Sequence, residues 1–357
     1  MARARSILVL GAALLAFSAG PAAAAAPPGF VGMTADDLLG NGGSYRDSAL
    51  DQQRTAGVKL LRVTFNWAAT EIAPGNFDFA TYDQYVLDAA RRGITMLPVL
   101  FDSPSFYGRR SAKRRSRASL PPVDNGTMAR WAALLVARYG PGGSLWAGHP
   151  NPLPITAWQI WNEPTLGVYW RDKPNPQEYL AMVRTVGAGI KAVDPAAEIV
   201  TAGLPDSRLK SAIRLAPYLK ALYKGGGSSA FDTVAINTYA VNARYMGKLM
   251  NTTRGLMNRS GGRSDKIWIT ELGWCDKGAK SRFCVGTKGQ AKNIAGSLKL
   301  IRQRRRAWKL RGFVLFSWRD GRPYGTGNQW GLHTGLLNLQ GKKKPAYDAF
   351  VRGVRGL

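Results

Sequence analysis

The 357-residue sequence is poor in cysteine, histidine and acidic residues. It has two cysteines and two histidines, and its 22 aspartates and glutamates stand against 50 lysines and arginines. The cysteines and histidines form no cluster with the spacing of zinc ligands. The aspartates do not have the spacing of a calcium-binding loop. Neither a Gly-rich phosphate loop nor a nucleic-acid-binding motif is found. The sequence therefore predicts no metal site, no cofactor and no nucleic-acid partner.

Long apolar runs are also absent, except at the N-terminus. There, a basic start with Arg3 and Arg5 precedes the apolar run SILVLGAALLAF and a series of small residues. This order is typical of a secretory signal peptide, which we predict to span residues 1–26. An uncleaved anchor is the alternative, although the run is short for a membrane span. We expect the mature protein, residues 27–357, to be secreted, extracellular, monomeric and without membrane contact.

Positive charge dominates the remaining sequence. The formal net charge is +28, or +26 once Arg3 and Arg5 are removed with the signal peptide. Much of it is concentrated at 108–117, 302–311 and 341–355. Such fields attract polyanions. For an exported protein, an acidic polysaccharide or a charged cell envelope is the expected partner, and a solvated basic surface without a partner is the alternative.

The two cysteines stand close together, at Cys275 and Cys284, in the segment CDKGAKSRFC. An even pair in an exported chain predicts a disulfide that closes a short loop, with two free thiols as the alternative. The loop begins four residues after Glu271. A bridge would therefore hold it at the rim of any site that Glu271 serves.

Eight apolar segments alternate with eight amphipathic ones after the signal peptide. The first apolar segment is PGFVGMTA and the last is RGFVLFSW, which KPAYDAFVRGV follows. Nearly continuous apolar strands are typical of a parallel sheet buried on both faces, and the alternation indicates βαβ crossovers. Eight such units close into a barrel. We predict a single (β/α)₈ TIM-barrel domain, with an open doubly wound sheet as the alternative.

Two glutamates end two of these strands. The segment WQIWNEPT places Glu163 after the fourth strand, and IWITELGW places Glu271 at the end of the seventh. The carboxyl ends of barrel strands meet at one mouth, where active sites lie. Two facing carboxyl groups suit glycoside hydrolysis, in which one is a proton donor and the other is ionised. Retaining enzymes hold them about 5–5.5 Å apart.

The motifs around both glutamates resemble a known group of enzymes. WNEP at 161–164 and ITELGW at 269–274 look like the two signatures of clan A of the glycoside hydrolases, which are retaining (β/α)₈ enzymes. The segments GVKLLRVTFNW and WGLHTGLLNLQGKKKPAYDAF resemble the second-strand and closing segments of that clan. The likeness covers nearly all of residues 30–355 and is closest to families 39 and 5.

The resemblance implies a role for several residues. Glu163 would be the general acid/base, and Glu271 the nucleophile that forms a glycosyl–enzyme intermediate. Asn162 would bind the 2-hydroxyl group of the sugar. Arg62, in the second strand, and Tyr239, at the end of the sixth, would hold Glu271. Many members of the clan have a histidine just before this tyrosine, whereas this chain has Asn237 two positions earlier.

Aromatic residues at the strand ends are expected to contact the sugar, because one side of a pyranose is largely C–H. The sequence has 11 tryptophans. The resemblance implies that Trp318 forms the floor of the subsite for the cleaved sugar, and Trp67 and Trp274 are also assigned to substrate binding. Trp158 and Trp268 stand inside strands, so we expect them in the barrel core.

The sequence as a whole predicts a secreted retaining glycosidase that cleaves a β-linked oligo- or polysaccharide by double displacement. The basic surface favours an acidic substrate. A barrel can also lose catalysis and persist as a binding protein. The alternative is therefore a catalytically weak or inactive barrel that binds carbohydrate or polyanions.

Overall fold

The structure is a computed structural model, and it describes residues 26–108, 120–170, 173–278, 280–322 and 329–357. The predicted signal peptide, apart from its last residue, and most of the basic run at 108–117 lie outside the described residues.

Eight parallel strands form a closed barrel. Their order around the barrel follows the chain, and the pairing of the seventh strand with the sixth closes the ring. This confirms the predicted (β/α)₈ fold and excludes the open sheet. The strands are β1 (Val31–Thr34), β2 (Leu60–Asn66), β3 (Thr95–Phe101), β4 (Ala157–Ile160), β5 (Glu198–Val200), β6 (Thr233–Asn237), β7 (Lys266–Leu272) and β8 (Leu310–Leu315).

A long helix follows each strand and packs outside the barrel. The helices are α1 (Gly43–Thr55), α2 (Ala80–Ala90), α3 (Asn125–Tyr139), α4 (Pro176–Val193), α5 (Leu215–Lys224), α6 (Ala243–Arg259), α7 (Gly286–Arg304) and α8 (Pro345–Val354). Shorter elements interrupt this repeat after β2, where the single-turn helix Trp67–Thr70 leads into a small antiparallel hairpin, Glu71–Ala73 and Asn76–Phe77. The short strand Leu204–Pro205 extends the barrel wall beside β6.

One helix starts later than its sequence pattern predicts. The apolar spacing predicts a helix over 209–226, but α5 begins at Leu215. The carboxylate of Asp206 binds the guanidinium of Arg214 through both oxygens and also accepts the Leu215 backbone N–H at 3.3 Å. This carboxylate satisfies an N–H group at the start of the helix, so the preceding residues stay in a loop.

Apolar side chains fill both the inside of the barrel and the layer between strands and helices. Trp268 lies inside the barrel, where the indole is fully buried, and Trp158 is fully buried in the outer layer. Both are core residues, as expected. The interior cluster consists of Leu60, Leu97, Ala157, Val200, Ala235, Trp268 and Val314.

No helix among the described residues combines the length and the apolar composition that a membrane span requires.

Candidate active site

The guanidinium group of Arg62 lies at the centre of the strand ends and contacts three side chains. Its Nε donates to Gln159 Oε1 at 2.8 Å, Nη1 donates to Glu271 Oε1 at 3.0 Å, and Nη2 donates to Asn162 Oδ1 at 2.9 Å. Arg62 is only 4% exposed. Since the guanidinium is planar and rigid, this one side chain fixes residues from β4, from the turn after it and from β7 relative to one another.

Glu271 receives a donor on each carboxylate oxygen. Arg62 donates to Oε1, and the hydroxyl group of Tyr239 donates to Oε2. Burial, and then the charge of Glu271, raise the pKa of Tyr239 well above its usual value, so the hydroxyl remains a donor. Two donors and an adjacent positive charge favour an ionised carboxylate. Such a group suits a nucleophile.

Glu163 lies in a different environment. The side-chain amide of Asn237 donates to Glu163 Oε1 at 2.7 Å. Burial and the nearby charge of Glu271 raise the pKa of Glu163 to about 8, although the Asn237 hydrogen bond and Arg62 act in the opposite direction. At neutral pH, Glu163 is therefore mainly protonated and can donate a proton. Arg62 donates directly to Glu271, whereas the hydrogen-bond partner of Glu163 is the neutral amide of Asn237.

The turn that carries Glu163 has an unusual backbone. Trp161 and Glu163 both have positive φ angles, 71° and 44°, which are uncommon for residues with a side chain. The fully buried indole of Trp161 donates from Nε1 to the Tyr169 carbonyl oxygen at 2.8 Å, and its backbone N–H donates to the Leu100 carbonyl oxygen. These contacts hold the turn and direct Glu163 toward the mouth. Trp161 is therefore an anchor of this turn.

Asn237 is itself held in position. Its Oδ1 accepts a hydrogen bond from Thr270 Oγ1 at 2.9 Å, which leaves the amide NH₂ for Glu163. Gly203 provides the space, since a Cβ at this position would lie 2.3 Å from Asn237 Oδ1. The sequence marks Asn237 only as a departure from the clan pattern, and its hydrogen bond to Glu163 is a finding of the structure.

Four partly exposed aromatic rings form a cluster around Tyr239, which binds Glu271, and we call them the aromatic wall: Tyr239, Phe283, Phe316 and Trp330. The Trp330 ring centroid lies 4.7 Å from that of Tyr239 and 5.2 Å from that of Phe283. Phe316 lies 6.2 Å from Tyr239 and 6.4 Å from Trp330. Tyr239 alone was assigned from the sequence. Phe316 directly follows β8, whereas Phe283 and Trp330 reach this wall from two loops.

The structure corrects the placement of Trp318. Its ring is 2% exposed and packs against Tyr347 of α8 at 5.8 Å. Phe316, directly after β8, is the ring that meets Tyr239. Trp318 borders instead a groove of about 350 Å³, which Tyr45 and Arg319 also line. It therefore does not form the floor beside the two glutamates.

Two other predicted substrate-binding tryptophans are also buried. Trp67 is fully buried between the rings of Tyr107 and Trp131, and its Nε1 donates to Glu71 Oε2 at 2.6 Å. Trp274 is fully buried, and its Nε1 donates to the Ala240 carbonyl oxygen at 2.6 Å. Neither ring presents a face to a sugar. Each side chain turns inward to pack, so the structure lends no support to the predicted role of either ring in substrate binding.

The predicted disulfide is present between Cys275 and Cys284. The Cys275 N–H donates to the Phe283 carbonyl oxygen at 3.1 Å, and the Val285 N–H donates to the Cys275 carbonyl oxygen at 2.9 Å. Phe283 precedes the second cysteine directly. The bridge therefore lies at the rim of the site, as expected, and it places one ring of the aromatic wall.

A buried ion-pair cluster joins this loop to the loop after β8. Lys344 Nζ lies 3.2 Å from Asp276 Oδ1 and 2.8 Å from Asp320 Oδ1. His333 completes the cluster, and ligand atoms of His333 and the two aspartates lie within 4.8 Å of one another. The ammonium group already pairs with both carboxylates here. The sequence shows no sign of this cluster, because its members are far apart along the chain.

Comparison with solved structures finds the same fold in several glycoside hydrolases. A family 39 glycoside hydrolase from Bacteroides cellulosilyticus WH2 matches with a TM-score of 0.66 at 19% identity, over 92% of this chain and 63% of that chain. A family 39 β-xylosidase from Caulobacter crescentus matches with a TM-score of 0.65 at 18% identity, over 90% and 69% of the two chains. The chain has the fold of these glycoside hydrolases.

A third similar structure is a family 5 enzyme from Streptomyces cattleya in complex with Manβ1-4GlcNAc. It has a TM-score of 0.65 and 15% identity, over 91% of this chain and 80% of that chain. No protein-family model matches the sequence, and no curated protein matches it either. The chain spans 63% of the length of the first structure above. At these identities, the likeness shows that the chain has the (β/α)₈ fold. This is the fold that the sequence predicts and that the resemblance to clan A implies.

Proposed function

We propose that this protein is a retaining glycoside hydrolase, with Glu163 as general acid/base and Glu271 as nucleophile. One observation carries the proposal. A glutamate with a pKa raised to about 8 lies close enough to a second, Arg62-bound glutamate to be affected by its charge. Glu163 can therefore donate a proton, and the two donors on Glu271 suit a nucleophile.

In the first step, Glu271 attacks the anomeric carbon while the Glu163 proton passes to the leaving oxygen. In the second step, ionised Glu163 removes a proton from water, which attacks the same carbon and releases Glu271. Asn162 can bind the sugar 2-hydroxyl, since Arg62 holds its side chain in the site. The aromatic wall offers ring faces to the sugar.

We further propose that the substrate is a β-linked glycan and that the protein is exported. The β-linkage is supported by the neighbour described as a β-xylosidase and by the one bound to a β1-4-linked disaccharide. Export is supported by the N-terminal sequence and by the disulfide, since such bonds persist in oxidising compartments. The sequence charge of +28 favours an acidic glycan.

Azide rescue tests the mechanism. Wild type, Glu163→Ala and Glu271→Ala are assayed on a panel of aryl β-glycosides with a good leaving group. Both variants should lose turnover and keep their thermal unfolding transition. Azide should restore turnover by giving a β-glycosyl azide with Glu163→Ala and an α-glycosyl azide with Glu271→Ala. Rescue with the opposite pattern of anomers would reverse the two roles.

The competing function is a barrel that binds glycans without cleaving them. This function would be favoured if a well-folded wild type did not turn over aryl glycosides or dyed polysaccharides, and if glycan binding survived Glu271→Ala.

A further inference from the structure

The N-terminal ends of the strands form the face of the barrel opposite the glutamates. Helices α6, α7 and α8 end at this face, and β7 and β8 begin there. We define the basic face as the segments 259–266, 302–309 and 352–355. They hold ten lysines and arginines but a single acid, Asp265, and all but one of these cations are exposed.

The three segments are neighbours. The Ile267 N–H donates to the Lys309 carbonyl oxygen at 3.0 Å, which joins the start of β7 to the turn before β8. Trp308 Nε1 donates to Asn251 Oδ1 of α6 at 2.7 Å. The Arg302 guanidinium lies against Gly356, where an added Cβ would lie 2.6 Å from Nη1. The cations therefore form one surface.

Two other cations near this end of the barrel are neutralised by acids. Lys191 pairs with Asp232 at 3.1 Å, and Arg311 pairs with Glu198 at 2.9 Å. The exposed cations of the basic face make no ion pair with any residue that the structure describes. The single acid is buried and accepts a hydrogen bond from the Tyr223 hydroxyl.

Helix capping does not account for so much charge. A cation in the last turn of a helix is stabilised by the helix dipole, and this effect falls off within one turn. The segment 302–309, at the end of α7, carries five cations. Close cations repel one another, so this concentration lowers the stability of the free protein. A polyanion would relieve that repulsion.

We propose that the basic face is a binding site for an anionic polysaccharide, separate from the catalytic mouth. Arginine forks bind carboxylate and sulfate groups through two hydrogen bonds. None of the large exposed hydrophobic residues lies in the three segments, and a membrane-docking surface would normally present such residues. Exposed rings for stacking nucleic-acid bases are absent from them as well. A polymer bound here leaves the mouth open, so the protein can be held on a glycan while it acts.

The test compares two variants of the full mature chain with equal charge removal. Arg302→Gln/Arg304→Gln/Arg306→Gln alters the basic face. The control, Lys210→Gln/Lys220→Gln/Lys224→Gln, alters exposed lysines at another position on the barrel. Binding to polygalacturonate and heparin is titrated at about 50 and 150 mM NaCl, because charge-driven binding weakens with salt. Neutral dextran is the ligand control.

The basic-face variant should bind the acidic polysaccharides about tenfold or more weakly, and the control variant should lose less than about threefold. Unfolding temperatures show whether both variants remain folded. Equal weakening in both would overturn the proposal, because only net charge would then matter. Tighter binding of wild type to phosphatidylglycerol vesicles or to duplex DNA would overturn the choice of polysaccharide. The experiment needs no turnover, so its result is independent of the proposed function.

Discussion

The amide nitrogen of Asn237 lies 2.7 Å from Oε1 of Glu163, while Asn237 itself pairs in register with Glu271 across β6 and β7. One residue of the barrel wall thus binds one proposed catalytic glutamate and lies next to the other in the strand register. The amide orients Glu163 and lowers its pKa, but burial and the charge of Glu271 outweigh this effect and keep the pKa raised to about 8.

The pH dependence of turnover should have a basic limb near pH 8. The pKa of Glu163 is raised to about 8, so the group is a proton donor below this pH and loses that ability above it. Measured kcat/KM against pH should fall with a midpoint near this value. Glu163→Gln, assayed on an aryl glycoside whose leaving group needs no proton, should lack the limb. A basic limb that survives in the variant would assign it to another group.

The same pKa predicts a pH-dependent change in stability. The folded pKa, about 8, lies above the ordinary value of 4.5, so the native state binds the proton more tightly than the unfolded chain does. Burial of Glu163 is therefore tolerated at low pH and becomes destabilising as pH rises from about 4.5 to about 8. Glu163→Gln should gain stability relative to wild type over this interval. Thermal unfolding at several pH values checks this, and a constant difference would contradict it.

Gly203→Ala should impair catalysis through Asn237. An added Cβ would lie 2.3 Å from Asn237 Oδ1 and 2.9 Å from Thr270 Oγ1. We expect a loss of about 1–3 kcal/mol in unfolding free energy, a lower kcat and a shifted basic limb. Gly40→Ala is the matched control, because a Cβ there meets nothing within 4 Å. An unchanged pH profile in Gly203→Ala would mean that Asn237 does not tune Glu163.

Removal of the disulfide should weaken substrate binding more than catalysis. Cys275→Ser/Cys284→Ser opens a loop whose cysteines are separated by 9 positions, and should lower the unfolding free energy by about 2–3 kcal/mol. Because the bridge places Phe283 in the aromatic wall, KM should rise while kcat changes little. Trp330→Ala should produce the same KM effect without the loss of stability. Kinetics and chemical denaturation together separate the two contributions.

Lys344→Met should destabilise the protein strongly. It removes the ammonium group that pairs with Asp276 and Asp320, whose side chains are 7% and 2% exposed. Removing one partner of a buried ion pair typically costs about 3–5 kcal/mol. Addition of Asp320→Asn to Lys344→Met should recover part of the loss, because one uncompensated charge disappears. If the double variant is less stable than Lys344→Met alone, the loss has another origin.

The barrel and the contacts of its strand ends could be predicted from the sequence. Strand order and strand direction placed the two glutamates at one mouth, and the resemblance to clan A implied that Arg62 and Tyr239 join them. Arg62 and Glu271 lie within regular strands, which the apolar pattern reveals, whereas Glu163 and Tyr239 lie just beyond strand ends.

The aromatic surroundings could not be predicted in the same way. Trp318, Trp67 and Trp274 stand at or beyond strand ends, where no periodicity fixes the direction of a side chain. Their indole groups turned inward to donate hydrogen bonds or to pack, whereas Phe283 and Trp330 reach the site from loops. The Lys344 cluster depends on contacts between residues of distant loops, and a single sequence carries no signal for these.

The reacting groups are held by the barrel wall, whereas two aromatic rings of the site are carried by loops, and this separation matters for engineering the protein. Arg62 and its partners in the barrel wall hold the reacting groups, whereas Phe283 and Trp330 stand on loops outside the strands. Exchange of the two loops can therefore redirect sugar preference while the proton-transfer apparatus stays intact. A change at Arg62, by contrast, would disturb contacts to β4, to the turn after it and to β7 at once.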